Sequence, residues 1–113
     1  MFISGYSGTS IQNNQIATIA NFGPQYKVAV DIMVHSAGSG VSSILRFTST
    51  GSNCCNVGDR VPAIFYNSDG RLLIESAVDE KGNKRAAYDI DLEKWYHIEI
   101  VQAIENGKVR IDI

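Results

Sequence analysis

The sequence predicts an all-β protein built from antiparallel strands, and three observations carry that expectation. The branched aliphatics are lopsided, with 14 Ile and 9 Val against 4 Leu. Two heavy atoms on Cβ suit the pleated, half-buried surface of a strand better than a helix. Apolar and polar residues alternate with period two over residues 26–35 and again towards the C-terminus, as they do in strands with one face in a core. Between such runs lie Asp69-Gly70 and Asn106-Gly107, steps that accept the positive φ of hairpin turns.

A chain of 113 residues makes one domain with a single core. Its net charge of −2 is spread over both signs, so no basic surface is available to follow a phosphate backbone, and nucleic acid is not an expected partner. There is no apolar run of about 18 residues, and the sequence predicts no transmembrane segment. Cys54 and Cys55 are adjacent within a Gly/Ser/Asn stretch, too close to tie distant strands together. They read as two thiols in a loop, an intermolecular link or a vicinal disulfide.

Taken in order, residues 1–14 are polar and rich in Gly and Ser without periodicity and predict a flexible lead-in; the domain proper is expected over 15–113. A strand is expected over 15–21, then a turn at Phe22-Gly23-Pro24-Gln25. Tyr26, Val28, Val30, Ile32 and Val34 next define one face of a strand, with Lys27, Ala29, Asp31, Met33 and His35 on the other. A shorter strand over 43–48 places Leu45 and Phe47 opposite Ile44 and Arg46, and 50–57 is a loop. Strands over 61–66 and 71–78 flank the turn Asn67-Ser68-Asp69-Gly70. Pro62 has no N–H for a ladder, which predicts an edge position or a bulge. A second hairpin with a charged tip at 79–84 leads into a strand over 85–90.

The last hairpin can be set in register from sequence. A two-residue turn at Asn106-Gly107 opposes Ile104 with Val109, Gln102 with Ile111, Ile100 with Ile113, Glu105 with Lys108 and Ala103 with Arg110, so apolar meets apolar and opposite charges meet. The alternation runs on to Ile113, which predicts that a further strand, from this chain or another, completes the sheet.

Two segments, Gly58-Asp59-Arg60-Val61-Pro62-Ala63-Ile64-Phe65 and Trp95-Tyr96-His97-Ile98-Glu99-Ile100, together with the hairpin into Ser76-Ala77-Val78 between them, resemble the laminin-G-like branch of the concanavalin A-like lectin and glucanase superfamily over roughly residues 16–113. The resemblance implies an antiparallel β-sandwich or jelly roll, incomplete here or completed by a partner chain. Its ligands would be held on one sheet or at the loop rim. It further implies a secreted, extracellular adhesion or carbohydrate-binding module, with calcium as an admissible cofactor.

The candidate sites follow. Trp95, His97 and Glu99 share a strand face and read either as a shelf for a sugar ring, with an aromatic platform beside polar groups, or as a core anchor beside surface residues. Asp59, Asp69 and Asp79 are loop carboxylates, read as calcium ligands or as turn residues bonding their own backbone. Asp89, Asp91 and Glu93 loosely match the paired carboxylates of glucanases, with residues two apart on a strand about 6.7 Å from each other. A solvated link before Trp95 accounts for them better. No catalytic triad, phosphate loop or zinc spacing is present. The expected function is non-catalytic recognition of a glycan or of a cell-surface or matrix ligand. The alternatives are a structural protein that assembles as a homo-oligomer through strand edges, and a small glycoside hydrolase.

Overall fold

The computed structural model describes residues 18–19, 23, 25–51, 56–79, 82–106 and 108–112. Over these residues the chain is all-β, with strands β1 (Tyr26–Met33), β2 (Val41–Arg46), β3 (Ala63–Asn67), β4 (Arg71–Asp79), β5 (Gly82–Asp89), β6 (Trp95–Glu105) and β7 (Lys108–Asp112). They form a three-stranded sheet in the order β1-β6-β7 and a four-stranded sheet in the order β2-β3-β4-β5. Every pairing is antiparallel. The four-stranded sheet pairs strands that are consecutive in the sequence, through short turns for β3–β4 and β4–β5 and through the longer connection 47–62 for β2–β3. By contrast, β1 and β6 come from distant parts of the sequence and pair from Tyr26↔Gln102 to Met33↔Trp95.

One apolar cluster joins the two sheets. Val28 and Ile32 of β1 and Ile98 and Ile100 of β6 meet Ile64 of β3 and Leu72 and Ile74 of β4, with Tyr26, Val30, Leu45, Phe47, Ile90 and Tyr96 packed around them. The expected alternation along β1 is therefore realised, and burying each large side chain stabilises the sandwich by about 1.5–3 kcal/mol. A buried polar group ties the sheets together at one end of this core. Tyr26 Oη donates to Gln102 Oε1 at 3.1 Å, and Ser76 Oγ lies 3.4 Å from each. Burial of the Tyr26 phenol raises its pKa, which keeps the hydroxyl a donor.

The second face of the four-stranded sheet is covered as well over β3 and β4, where Ala63, Leu73 and Glu75 are buried. Glu75 of β4 points away from the core cluster yet is 2 % exposed, because Arg60 from the loop ahead of β3 folds over it. Arg60 and Arg85 both pair with its carboxylate, and the Arg60 guanidinium lies 5.1 Å from the Phe65 ring centroid. Cover on both faces explains why Ala63 and Ile64 are buried side by side, and why β3 reads as a continuous apolar run.

The turns follow local chemistry. Asn106 has φ 50°, and the β6–β7 register runs Ile104↔Val109, Gln102↔Ile111, Ala103↔Arg110 and Glu105↔Lys108 as expected. At 67–71 Asn67 pairs with Arg71 and Gly70, at φ 93°, bonds Asn67 O through its N–H, so the Asp69-Gly70 step supplies the expected positive φ within a three-residue loop. Pro62 is placed differently. It lies just ahead of β3, an interior strand, so the edge expectation fails; the Val61-Pro62 peptide is cis, and Pro62 O accepts from Phe47 N–H at 2.8 Å. The bulge falls on β2 instead, between Ser43 and Leu45. The lead-in over 1–14, Cys54, Cys55 and Ile113 lie outside the described residues. Of the strand expected over 15–21 only Thr18 and Ile19 are described, and neither is in a strand.

Candidate functional site

The outward face of the three-stranded sheet gathers the predicted shelf residues. Period two along β6 sends Tyr96, Ile98, Ile100 and Gln102 towards the core and leaves Trp95, His97 and Glu99 exposed. Trp95 is 66 % exposed, so it is a surface aromatic and not a core anchor. The β1–β6 register sets Met33 opposite Trp95, Asp31 opposite His97 and Ala29 opposite Glu99, and side chains paired in this way lie within contact distance on one face.

The polar members form one continuous row. His97 Nδ1 lies 2.6 Å from Asp31 Oδ1 and Nε2 lies 3.2 Å from Glu99 Oε1, while Lys27 Nζ reaches the same Glu99 oxygen at 3.3 Å. An imidazole bonded to a carboxylate at each nitrogen donates from both only as the imidazolium. Its pKa is accordingly raised, chiefly by the hydrogen bond to Asp31 and next by that to Glu99. The Glu99 carboxyl is held below its usual value, first by His97 and then by Lys27. The row thus presents basic and acidic groups in alternation beside an exposed indole, a set of groups suited to binding and orienting a polar ligand.

The turn that delivers Trp95 is fastened at several points. Glu93 takes a positive φ of 59°, its N–H bonds Val34 O at 2.8 Å, and its carboxylate pairs with His35 at 3.1 Å. Asp91 N–H donates to Tyr96 Oη at 2.9 Å. Asp89 ends β5, whereas Asp91 and Glu93 lie in the turn, so the three carboxylates do not share a strand face as a glucanase pair does.

Two of the candidate calcium ligands, Asp59 and Asp69, bond within their own loops. Asp59 is 1 % exposed and accepts from Thr50 Oγ1 at 2.5 Å on one oxygen and from Asn56 N–H at 2.9 Å on the other. Asp69 accepts from the N–H and Nε of Arg71, and Asp79 pairs through its backbone with Gly82. Among the described residues no group of three or more His, Cys, Asp or Glu side chains is placed to hold a metal. Among them, too, no helix is long and apolar enough to cross a membrane.

Two features escape sequence reasoning. Asp31 and Lys27 complete the row, and the alternation does place both outward, but only the β1–β6 register shows that they meet His97 and Glu99. The second is a cleft of about 300 Å³ between the sheets, with an apolar lining from Leu72, Ile74, Tyr88, Ile90, Tyr96 and Ile98 and with Asp89, His97 and Glu99 beside it; residues from three strands meet there only through the packing of the sheets. Comparison of the chain with protein-family models, with curated protein sequences and with solved structures gives no match.

Proposed function

We propose that the chain is a non-catalytic, extracellular binding or adhesion module of the laminin-G-like kind, which recognises a glycan or another cell-surface or matrix ligand on the outward face of its three-stranded sheet. The observation that carries this reading is the 66 % exposure of Trp95 at the end of the Lys27, Glu99, His97 and Asp31 row. An exposed indole loses little conformational freedom on binding and offers a flat face to the apolar side of a sugar ring, while the neighbouring charged groups bond hydroxyls and fix orientation. A non-catalytic role is supported by the pairing of both carboxylates of the row, Asp31 and Glu99, with basic side chains.

A glycan array probed with the intact chain and with Trp95→Ala, with and without a calcium chelator, tests the proposal. Binding to a defined group of glycans that is lost in the variant is the expected result. An array with no glycan bound by the intact chain would overturn the glycan reading, and full binding by the variant would overturn the assignment of this face.

A further inference from the structure

The chain has two histidines, and they stand on either side of Trp95. Two positions from the Met33↔Trp95 pair in one direction, Asp31 opposes His97, and His97 Nδ1 lies 2.6 Å from Asp31 Oδ1. Two positions away in the other direction, just beyond the strands, His35 Nδ1 lies 3.2 Å and 3.1 Å from the two carboxylate oxygens of Glu93. Each imidazole thus links the chain of β1 to the chain of β6, and the indole sits between the two links.

Little else holds the indole in place. Trp95 is 66 % exposed and is the first residue of β6, where a strand pair frays most readily. The turn ahead of it depends on Glu93, whose φ of 59° is one that residues with a side chain seldom adopt and that persists where the surroundings hold it. Its N–H bonds Val34 O and its carboxylate bonds His35, so both tethers of Glu93 end on the two residues that follow β1.

We infer that ligand binding at the Trp95 face is gated by protons, being tightest while both imidazoles are charged and their carboxylates ionised, and weaker once the imidazoles are neutral. The inference rests on the reading of Trp95 as the binding platform and adds its regulation. A neutral imidazole has one donor nitrogen. His97, which faces a carboxylate at each nitrogen, then turns an acceptor towards one of them, and the His35–Glu93 link loses its charge. With the links weakened, the indole has to be ordered as the ligand binds, and that ordering lowers affinity. Imidazoles titrate near neutrality, and for His97 the hydrogen bonds from Asp31 and Glu99 raise the value.

The charged groups around each ring fix the sign of the change. His97 is faced by Asp31 of β1, by Glu99 of β6, by Lys27 through Glu99, and by Asp89 of β5, which lines the same cleft. His35 is faced by Glu93, with Asp91 and Lys94 in the same turn; the Lys94 ammonium lies 5.5 Å from the Tyr96 ring centroid. Carboxylates outnumber lysines at both rings, so losing the imidazole protons leaves this face with an excess of negative charge and nothing to draw the links together.

NMR relaxation of the Trp95 indole N–H tests the gate without a ligand, since the chain has a single tryptophan. It is read at about pH 5.5 and about pH 8.5, either side of the ordinary imidazole value, and a glycan array is probed at the same two values. The indole should be more ordered at the lower pH, and array binding should be roughly threefold weaker at the higher, the size that exposed ion pairs allow. His35→Gln and His97→Gln should each reduce the difference, and the double variant should be as mobile at both values as the intact chain is at the higher. Equal order at both values in the intact chain, a pH difference that survives in the double variant, or array binding that is unchanged or stronger at the higher pH would overturn the gate. Binding that requires Trp95 but ignores pH sinks the gate alone; an array with no glycan bound, or full binding by Trp95→Ala, removes the platform and the gate with it.

Discussion

His97 Nδ1 lies 2.6 Å from Asp31 Oδ1, across a strand pair whose members are 66 positions apart in the sequence. The contact locks the imidazole on the outward face of the three-stranded sheet, with its other nitrogen turned to Glu99. It also sets the electrostatics of the whole row, because His97 is the cation shared by two carboxylates.

The charge state of His97 should report this contact. Its pKa is expected above 6.5, the value from which Asp31 and Glu99 raise it, and Asp31→Asn should bring it down. For a group whose folded pKa is raised, the stabilising contribution is complete below the unfolded value near 6.5 and is lost as pH rises through the folded value. Glu99 acts in the opposite direction: its lowered pKa gives a contribution that is present above the ordinary carboxyl range and lost as pH falls through the folded value. The His97 and Glu99 contributions are therefore both present between the ordinary carboxyl and imidazole values. An NMR titration of the His97 ring protons in the intact chain and in Asp31→Asn checks both statements; an unchanged pKa in the variant would contradict them.

Glu75 should matter more to stability than any carboxylate of that exposed row. It is 2 % exposed and paired with Arg60 and Arg85. Glu75→Ala leaves the Arg60 guanidinium largely covered without its partner and should cost about 3 kcal/mol, because an uncompensated buried charge is costly. Arg85 is more than half exposed, and Arg85→Ala should cost less than about 1 kcal/mol. Denaturant unfolding of both variants makes the comparison, and equal losses would contradict the cover that Arg60 provides.

Gly58 is required by both backbone and space. It holds φ +87°, and a Cβ at that position would stand 2.5 Å from Ser49 Oγ. Its carbonyl accepts from the Ser49 N–H and hydroxyl, so the loop cannot simply move away. Gly58→Ala is expected to destabilise the chain by about 1–3 kcal/mol. Adding Ser49→Gly should recover only part of the loss, since the strained φ remains. Thermal unfolding of the single and double variants measures this; complete recovery would show that the contact alone, and not the backbone, sets the requirement.

Period and turn chemistry made much of the sandwich legible before any coordinates. The inward set Val28, Ile32, Ile98 and Ile100 follows from alternation, and the β6–β7 register follows from matching charges and apolar pairs about Asn106. Pro62 shows where such reasoning stops. A missing N–H argues only that no ladder bond is made at that residue, and a position just ahead of an interior strand satisfies it as well as an edge does. Likewise, alternation placed Trp95, His97 and Glu99 on one face, but which face meets solvent is decided by the second sheet. Asp31 and Lys27 joined them only through a non-local pairing, and Glu75, buried by a loop from outside its own strand, has no local signature of burial.

The chain has a single tryptophan, so its indole emission reports on the proposed binding face alone. At 66 % exposure, Trp95→Ala should change stability by no more than about 0.5 kcal/mol, which separates loss of binding from loss of fold. Titrating the intact chain with a glycan selected on the array, while following tryptophan emission, tests the central claim most directly. A saturable emission change, with binding abolished in a folded Trp95→Ala variant, is the predicted result; a glycan that binds with unchanged emission, and with full affinity for the variant, would contradict it.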